Sequence, residues 1–107
     1  MAIEVKVCGI TRNEDAETAL TAGAKYLGFI QYPKSPRKIS LDSSKSIMQS
    51  MDSFSFGRVA VDVCPKPESV VQMKDAGFDF YQFHFPMTLI PNKFVNGASS
   101  LVLQICG

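Results

Sequence analysis

Two hydrophobic periodicities alternate along the first 86 residues of the chain. Short segments in which apolar and polar residues alternate, or in which nearly every residue is apolar, predict β-strands. The segments between them place apolar residues three and four positions apart, which is the spacing of one face of an α-helix. The pattern therefore predicts the element order βαβαβαβ.

Four strands are predicted from the apolar segments, at residues 3–8, 25–31, 58–63 and 78–83. The first alternates three apolar residues with two charged ones, and the second is rich in aromatic and aliphatic residues, as buried strands are. Aromatic residues dominate the fourth. Because no basic residues are interleaved with its aromatic side chains, we expect them to pack inside the protein rather than to stack on nucleic acid bases. This aromatic strip consists of Phe78, Phe80, Tyr81, Phe83 and Phe85.

Three helices are predicted in the intervals between the strands. The first begins at Thr11-x-x-Glu14, which has the spacing of a capping box. The second covers Ser40 to Met51. The third has Pro67 at its first position and Gly77 after its last. The short links between helices and strands indicate parallel strands that are joined by helical crossovers.

An internal repeat supports this arrangement. Residues 22–29 resemble residues 76–83, which lie 54 positions further along the chain, two predicted strand-helix units later. Such units build either an open, doubly wound sheet or a closed barrel, and the periodicity does not distinguish the two. Because no G-x-G-x-x-G sequence follows the first strand, a dinucleotide-binding fold lacks its strongest signature.

Composition and charge narrow the class of protein. The 107 residues suffice for one domain, and no apolar segment approaches the roughly 20 residues of a membrane span. The 11 basic and 10 acidic residues leave a net charge of +1, so we expect neither nucleic acid nor membrane as a partner. Three widely spaced cysteines and the absence of a secretory signal indicate a cytoplasmic protein with reduced thiols and no zinc site.

The alternation breaks after Pro86, and residues 87–107 are expected to form a divergent tail to a domain of residues 1–86. No amphipathic helix precedes the final apolar segment, Leu101 to Cys106, which has the character of a strand. We hypothesise that the tail is translated from a shifted reading frame, since restoring the frame permits an amphipathic helix over the codons of residues 92–97. Sequencing of the gene tests this hypothesis.

Candidate functional residues are found where the carboxyl ends of parallel strands meet, the usual place for chemistry in such folds. This rule selects Cys8, the loop 31–37, Cys64 and His84. Cys8 is either a buried structural thiol or a base, and a base would need the positive surroundings that the loop can supply. Arg37 is either a solvated loop residue or a clamp for a carboxylate or phosphate, because a guanidinium pairs with planar anions through two hydrogen bonds.

The other polar residues near these strand ends carry weaker signals. His84, the only histidine, is equally consistent with a structural bond to a loop carbonyl and with contact to a ligand. Cys64 is expected to be structural. Asp62, within the third strand, is assigned no role.

Three motifs are of particular interest, and a fourth, Gln82-Phe83-His84, is weaker. They are Val5-Lys6-Val7-Cys8-Gly9-Ile10-Thr11, Ala22-Gly23-Ala24 followed by Leu27-Gly28-Phe29-Ile30, and Tyr32-Pro33-Lys34-Ser35-Pro36-Arg37. In these motifs the chain resembles the phosphoribosylanthranilate isomerase family of tryptophan biosynthesis over residues 1 to about 86. The resemblance implies an α/β fold of the TIM, or (βα)8, barrel type, of which this chain holds about the first four βα units. It also implies that no cofactor and no metal take part.

The resemblance implies the Amadori rearrangement of N-(5-phosphoribosyl)anthranilate to 1-(2-carboxyphenylamino)-1-deoxyribulose 5-phosphate. In that reaction a general acid protonates the ring oxygen, the furanose opens to a Schiff base, and a general base removes the C2′ proton. Carried over by motif, Cys8 resembles the general base, and Arg37 resembles the group that holds the anthranilate carboxylate or ring. His84, in the weaker motif, is a candidate substrate-binding residue. The expected partner is therefore a small phosphorylated substrate.

Other parts of the family pattern have no counterpart in this chain. The resemblance places the general acid, an aspartate, and the glycine-rich phosphate loops in the second half of the barrel, and no segment here matches them. Phe85 follows His84 where the family has glycine. We therefore expect the N-terminal half of such an isomerase, inactive alone. The alternative is a non-catalytic half-barrel whose open sheet edges favour self-association, as a homo-oligomer or with a complementing half-barrel, or docking to another protein.

Overall fold

Strands and helices alternate along the chain in a computed structural model that describes residues 3–86 and 101–106. The eight elements are β1 (Lys6–Cys8), α1 (Asn13–Thr21), β2 (Tyr26–Ile30), α2 (Leu41–Ser50), β3 (Gly57–Val63), α3 (Pro67–Ala76), β4 (Phe80–Pro86) and β5 (Leu101–Cys106). The predicted order βαβαβαβ is confirmed for the first seven elements. The strand character of Leu101 to Cys106 is confirmed by β5.

The strands form one parallel sheet in the spatial order β1-β2-β3-β4-β5, which is also their order along the chain. A doubly wound sheet would reverse direction at a switch point, with helices on both faces. Here every crossover advances in the same direction, as in a barrel. The topology therefore decides between the two architectures that the periodicity leaves open. Among the described residues, no helix is long and apolar enough to cross a membrane.

The helices α1, α2 and α3 pack on one face of the sheet, which is called here the helix-facing side. Side chains from this side of the strands and from all three helices form one buried cluster. Its strand residues Leu27, Phe29, Tyr81 and Phe83 are at most 1% exposed. The predicted packing of the aromatic strip inside the protein is confirmed for four of its five residues, since Phe78 and Phe85 also belong to this cluster, whereas Phe80 is only partly buried.

The opposite face of the sheet carries the alternate residues of each strand and is called here the inner face. Tyr26 and Phe80 meet there edge to face, with ring centroids 5.4 Å apart. A cavity of about 290 Å³ is lined by Lys6, Tyr26, Val59, Phe80 and Gln82. The inner face thus combines aromatic, aliphatic and polar side chains around a hollow.

A side-chain hydrogen bond from Lys6 Nζ to Gln82 Oε1 crosses this hollow and joins β1 to β4. Two strands lie between them, so in a flat sheet β1 and β4 would be about 14 Å apart. The contact therefore requires the sheet to curve toward its inner face, as the wall of a barrel does.

The first helix begins differently from the prediction, and the capping box at Thr11 is wrong. The N-cap is Arg12, whose side chain makes no capping hydrogen bond. Its guanidinium instead binds Asp15 through two hydrogen bonds of 3.0 and 2.9 Å, which lowers the pKa of the Asp15 carboxyl. This ion pair in the first helical turn replaces the reciprocal hydrogen bonds of a capping box.

The ends of the other elements follow local hydrogen bonding. Ser40 caps α2 by accepting from the Ser43 N–H at 3.1 Å, and Gly77 ends α3 with φ +108°. The fourth strand begins at Phe80 rather than at the predicted Phe78, because the Phe78 N–H binds the Met73 carbonyl and so completes the end of α3. The first strand begins at Lys6 rather than at Ile3, since the β1–β2 pairing itself begins at Lys6.

Gly57 gives a direct test of the packing on the inner face. A Cβ atom at Gly57 would lie 2.4 Å from Tyr26 Cδ1 and 2.9 Å from Phe80 Cε2, between the two rings. We expect Gly57→Ala to lower the free energy of unfolding by about 1–3 kcal/mol, as overpacking does. Urea unfolding of the full chain measures this loss.

The matched control for Gly57→Ala is the same substitution in a Tyr26→Ala background. Removing one ring makes room for the methyl group, so the loss should be smaller there. Equal losses in both backgrounds would contradict the described packing.

Candidate functional site

Cys8 lies at the carboxyl end of β1 on the inner face, because the preceding Val7 packs into the helix-facing cluster. It pairs in register with Gly28 of β2. A Cβ atom at Gly28 would lie 3.0 Å from Cys8 Sγ and 3.2 Å from Cys8 Cα. A glycine at this point of β2 therefore leaves the space in which the half-buried thiol lies.

Arg37 reaches the same place from the loop that follows β2. The loop turns back on itself with a hydrogen bond from the Ser35 N–H to the Tyr32 carbonyl at 3.1 Å. It then rejoins the sheet, where Lys38 forms a bridge with Ile30. This path directs the Arg37 side chain toward β1, where Nη1 donates to the Cys8 carbonyl at 3.4 Å.

The structure thus brings together two of the three site residues that were predicted from sequence. The Arg37 guanidinium lies against the end of β1, and Arg37 is exposed to solvent. An exposed guanidinium that is bonded to the backbone carbonyl of Cys8 can bind an anionic group near the residue that carries the half-buried thiol. Gly9 and Gly28, which make this contact possible, were not among the sequence-predicted site residues. The one sequence feature that pointed to them is Gly9 itself, a glycine that directly follows the first strand.

His84, the third predicted site residue, lies on the inner face near the carboxyl end of β4, paired with Val63. Two strands separate it from β1 in the sheet, so it belongs to the same edge but is not a neighbour of Cys8. Phe85, which stands where the family has glycine, is 2% exposed and packs into the helix-facing cluster. Its side chain therefore points away from the inner face.

Cys64 follows β3 in a left-handed conformation with φ +44°, which is uncommon for a residue other than glycine. Its N–H donates to the His84 carbonyl at 3.0 Å, and its Sγ lies 3.6 Å from the same oxygen. These contacts tie the ends of β3 and β4 together, although the thiol is exposed. Cys106 lies in β5, outside the residues whose side chains are described.

Asp62 lies on the helix-facing side, 9% exposed, on the opposite face from Cys8. It lines a crevice of about 150 Å³ together with polar residues that include Gln31, Ser69 and Gln72. Burial raises the pKa of the Asp62 carboxyl, while a hydrogen bond of 2.7 Å from the Val63 N–H opposes that effect. Its position gives it no part in the site at the inner face. Within residues 3–86 and 101–106, no cluster of three histidine, cysteine or acidic residues could hold a metal ion.

Comparison with known proteins gives a consistent result. The family described as N-(5'-phosphoribosyl)anthranilate (PRA) isomerase matches residues 5–93. The chain is 40% identical over 82 residues to N-(5'-phosphoribosyl)anthranilate isomerase of Aquifex aeolicus, covering 77% of this chain and 40% of that protein. It is 39% identical over 85 residues to the enzyme of Thiobacillus denitrificans, covering 78% and 41%. The chain thus spans about two fifths of the length of these relatives.

Solved structures of such isomerases have the same fold. The chain superposes on phosphoribosyl anthranilate isomerase of Thermotoga maritima with a TM-score of 0.82 at 29% identity, covering 97% of this chain and 50% of that one. The Thermus thermophilus protein gives 0.79 at 31% identity, with 96% and 50% covered. Another structure with a TM-score of 0.82, at 29% identity, covers 97% of this chain and 53% of that one. It holds reduced 1-(o-carboxyphenylamino)-1-deoxyribulose 5-phosphate. The described sheet is therefore half of a TIM barrel.

The buried Asp62 carboxyl predicts a pH-dependent stability. The pKa of Asp62 is higher in the folded protein than in the unfolded chain. Between these two pKa values the folded protein keeps a proton that the unfolded chain has released. The free energy of unfolding therefore falls as the pH rises from the lower pKa to the higher one. Asp62→Asn keeps an acceptor for the Val63 N–H without a charge. We expect the variant to be more stable than the parent at pH 7.

Urea unfolding at several pH values measures this difference between variant and parent. The gain should shrink toward zero below about pH 4, where the carboxyl is protonated in both states. Asp52→Asn is the matched control, because Asp52 is exposed to solvent. A gain from Asp62→Asn that is equal at acidic and neutral pH would contradict the assignment.

Proposed function

Because the chain belongs to the N-(5'-phosphoribosyl)anthranilate isomerase family, we propose that it supplies the base-bearing half of the isomerase active site. The reaction is the Amadori rearrangement of N-(5-phosphoribosyl)anthranilate to 1-(2-carboxyphenylamino)-1-deoxyribulose 5-phosphate. The observation that carries the proposal is the Arg37 guanidinium at the end of β1, bonded to the carbonyl of Cys8.

Cys8 is the proposed general base. After the furanose ring opens, the C2′ carbon lies next to a protonated imine, which makes its hydrogen acidic. The Cys8 sulfur takes this proton, and the electron pair of the C–H bond forms a C1′=C2′ double bond as the C=N electrons pass to nitrogen. The resulting enolamine gains a proton at C1′ and loses the proton of its 2′-hydroxyl, which gives the ketone. A thiolate in positive surroundings suits this step, because a base that works near neutral pH must be partly deprotonated there.

Arg37 is the proposed anchor for the anthranilate carboxylate. Its exposed guanidinium can donate two hydrogen bonds to a carboxylate, while its hydrogen bond to the Cys8 carbonyl holds the anchor near the residue that carries the base. Orientation of this kind supplies a large part of the rate enhancement in many enzymes. His84 is a proposed further contact to the substrate, from its place on the inner face of β4.

The remaining groups of the reaction are assigned to the second half of the barrel. These are the acid that protonates the ring oxygen and the loops that bind the phosphate. The proposed setting is cytoplasmic, and the chain alone is expected to turn over no measurable substrate. A division of the chain at residue 86, with a frame-shifted tail after it, stays a prediction.

A fusion tests the catalytic proposal. Residues 1–86 are joined to the part of the Aquifex aeolicus relative that follows its matching segment, and conversion of N-(5-phosphoribosyl)anthranilate is followed. We expect Cys8→Ala to lower kcat at least about 100-fold, as loss of a general base does. Arg37→Ala should mainly raise KM.

Cys64→Ala is the matched control in the fusion, since Cys64 is a second thiol at the same edge with no assigned role. A fusion that is equally active with and without Cys8 would contradict the proposal. Turnover by the unfused chain that Cys8→Ala abolishes would contradict the expected inactivity of the chain alone.

The alternative proposal is a non-catalytic half-barrel that associates with a second copy. Its support is the inner face, where the hollow beside Tyr26 and Phe80 is not covered by the helices α1, α2 or α3. Sedimentation of the full chain over a range of concentrations tests it. Self-association would show as a mass that rises with concentration and falls in Phe80→Ser, whereas a strict monomer at all concentrations would contradict it.

A further inference from the structure

Gly9, the residue after Cys8, is a turn residue with a left-handed backbone, φ +86°. Its N–H and that of Ile10 both donate to the Gly28 carbonyl, at 3.0 and 3.1 Å. These hydrogen bonds turn the chain away from the direction of β1 and fix the position along β2 at which β1 ends. Glycine adopts this conformation without steric cost.

Conformation alone does not explain what surrounds Gly9. A Cβ atom there would lie 2.6 Å from Arg37 Nη1, 2.9 Å from Cζ and 3.1 Å from Cδ. Gly23 and Gly77 have similar φ values, +105° and +108°, yet a Cβ atom at either would meet nothing within 4 Å. Arg37 therefore occupies the space that a side chain at residue 9 would need, and its side chain lies there from Cδ to Nη1.

We propose that Gly9 is a positioning residue whose missing side chain forms the seat of the Arg37 guanidinium beside Cys8. Its role in catalysis rests on the proposed function, whereas the contact itself does not. The backbone of the loop is already held by the Ser35 Oγ bond to the Arg37 N–H at 3.2 Å and by the bridge from Lys38 to Ile30. These bonds do not fix the far end of a long, exposed side chain.

The seat determines where the positive charge lies. With the guanidinium against Gly9, Nη1 donates to the Cys8 carbonyl, and the remaining N–H groups can donate to an anion. A methyl group at residue 9 would lift the guanidinium from this surface and break the hydrogen bond. The charge would then move into solvent, where water and salt screen it.

Two alkylating reagents measure this charge at the thiol. Iodoacetate is an anion and iodoacetamide is neutral, so the ratio of their reaction rates at Cys8 reports the local potential, while thiol burial and intrinsic reactivity largely cancel. The full chain is used at low ionic strength, and mass spectrometry of peptides separates Cys8 from Cys64 and Cys106. We expect Gly9→Ala and Arg37→Gln each to lower the ratio by up to about fivefold, which is the effect of a unit charge about 4 Å away in water and which shrinks at larger separations.

Gly23→Ala is the matched control, because it introduces the same substitution at a similar positive φ with nothing nearby. It should leave the ratio at Cys8 unchanged. A normal ratio in Gly9→Ala together with a lowered ratio in Arg37→Gln would overturn the seat. An unchanged ratio in Arg37→Gln would overturn it as well, since the charge would then not be beside the thiol.

A stability measurement covers the case in which Gly9→Ala folds poorly. If the methyl group clashes with Arg37, Gly9→Ala should shift the urea midpoint less in an Arg37→Ala background than in the parent. Equal shifts would overturn the proposal. These outcomes are separate from the catalytic test: a fusion without Cys8-dependent turnover refutes the function, whereas additive shifts refute only the seat.

Discussion

The packing of three helices on a single face of a parallel sheet is the constraint on which the rest of this structure depends. Leu27, Phe29, Tyr81 and Phe83 are almost completely buried on that face, so the register of β2 and β4 cannot slip without exposing them. A one-residue slip would also move the inner-face residues into the helices. Burial on one side therefore determines which side chains the other side presents.

The same constraint explains why the inner face can be partly polar. The helix-facing cluster supplies the apolar burial that stabilises the chain, and the inner face need not repeat it. Lys6 and Gln82 can accordingly meet across the curved sheet. Cys8 lies on this face at the carboxyl end of β1, close to bulk solvent and to Arg37. Polar side chains on the inner face therefore remove no apolar burial from the helix-facing cluster.

Much of the fold could be predicted from sequence because it depends on local periodicity. The alternation in 58–63 and the glycine at residue 77 identify their elements without any distant contact. The predictions fail where a competing local bond decides the outcome, as when Arg12 pairs with Asp15 in place of a capping box. Cys8 and Arg37 could be selected from position and family resemblance. The contact of Gly9 with Arg37 could not be predicted, because the two residues are 28 positions apart in the sequence.

Among the described residues, the hydrogen bonds that join the end of β1 to the Arg37 loop run between β1, β2 and the loop that follows β2. Gly9 and Ile10 bond to Gly28, the loop bridges back to Ile30, and Arg37 closes the circuit to Cys8. None of these bonds involves β4 or β5. In a barrel built from successive units, the geometry of such a corner is therefore set by adjacent strands, whereas catalysis requires groups from around the whole ring. Adjacent elements of a chain that spans about two fifths of the length of its relatives therefore suffice to hold Arg37 against the end of β1.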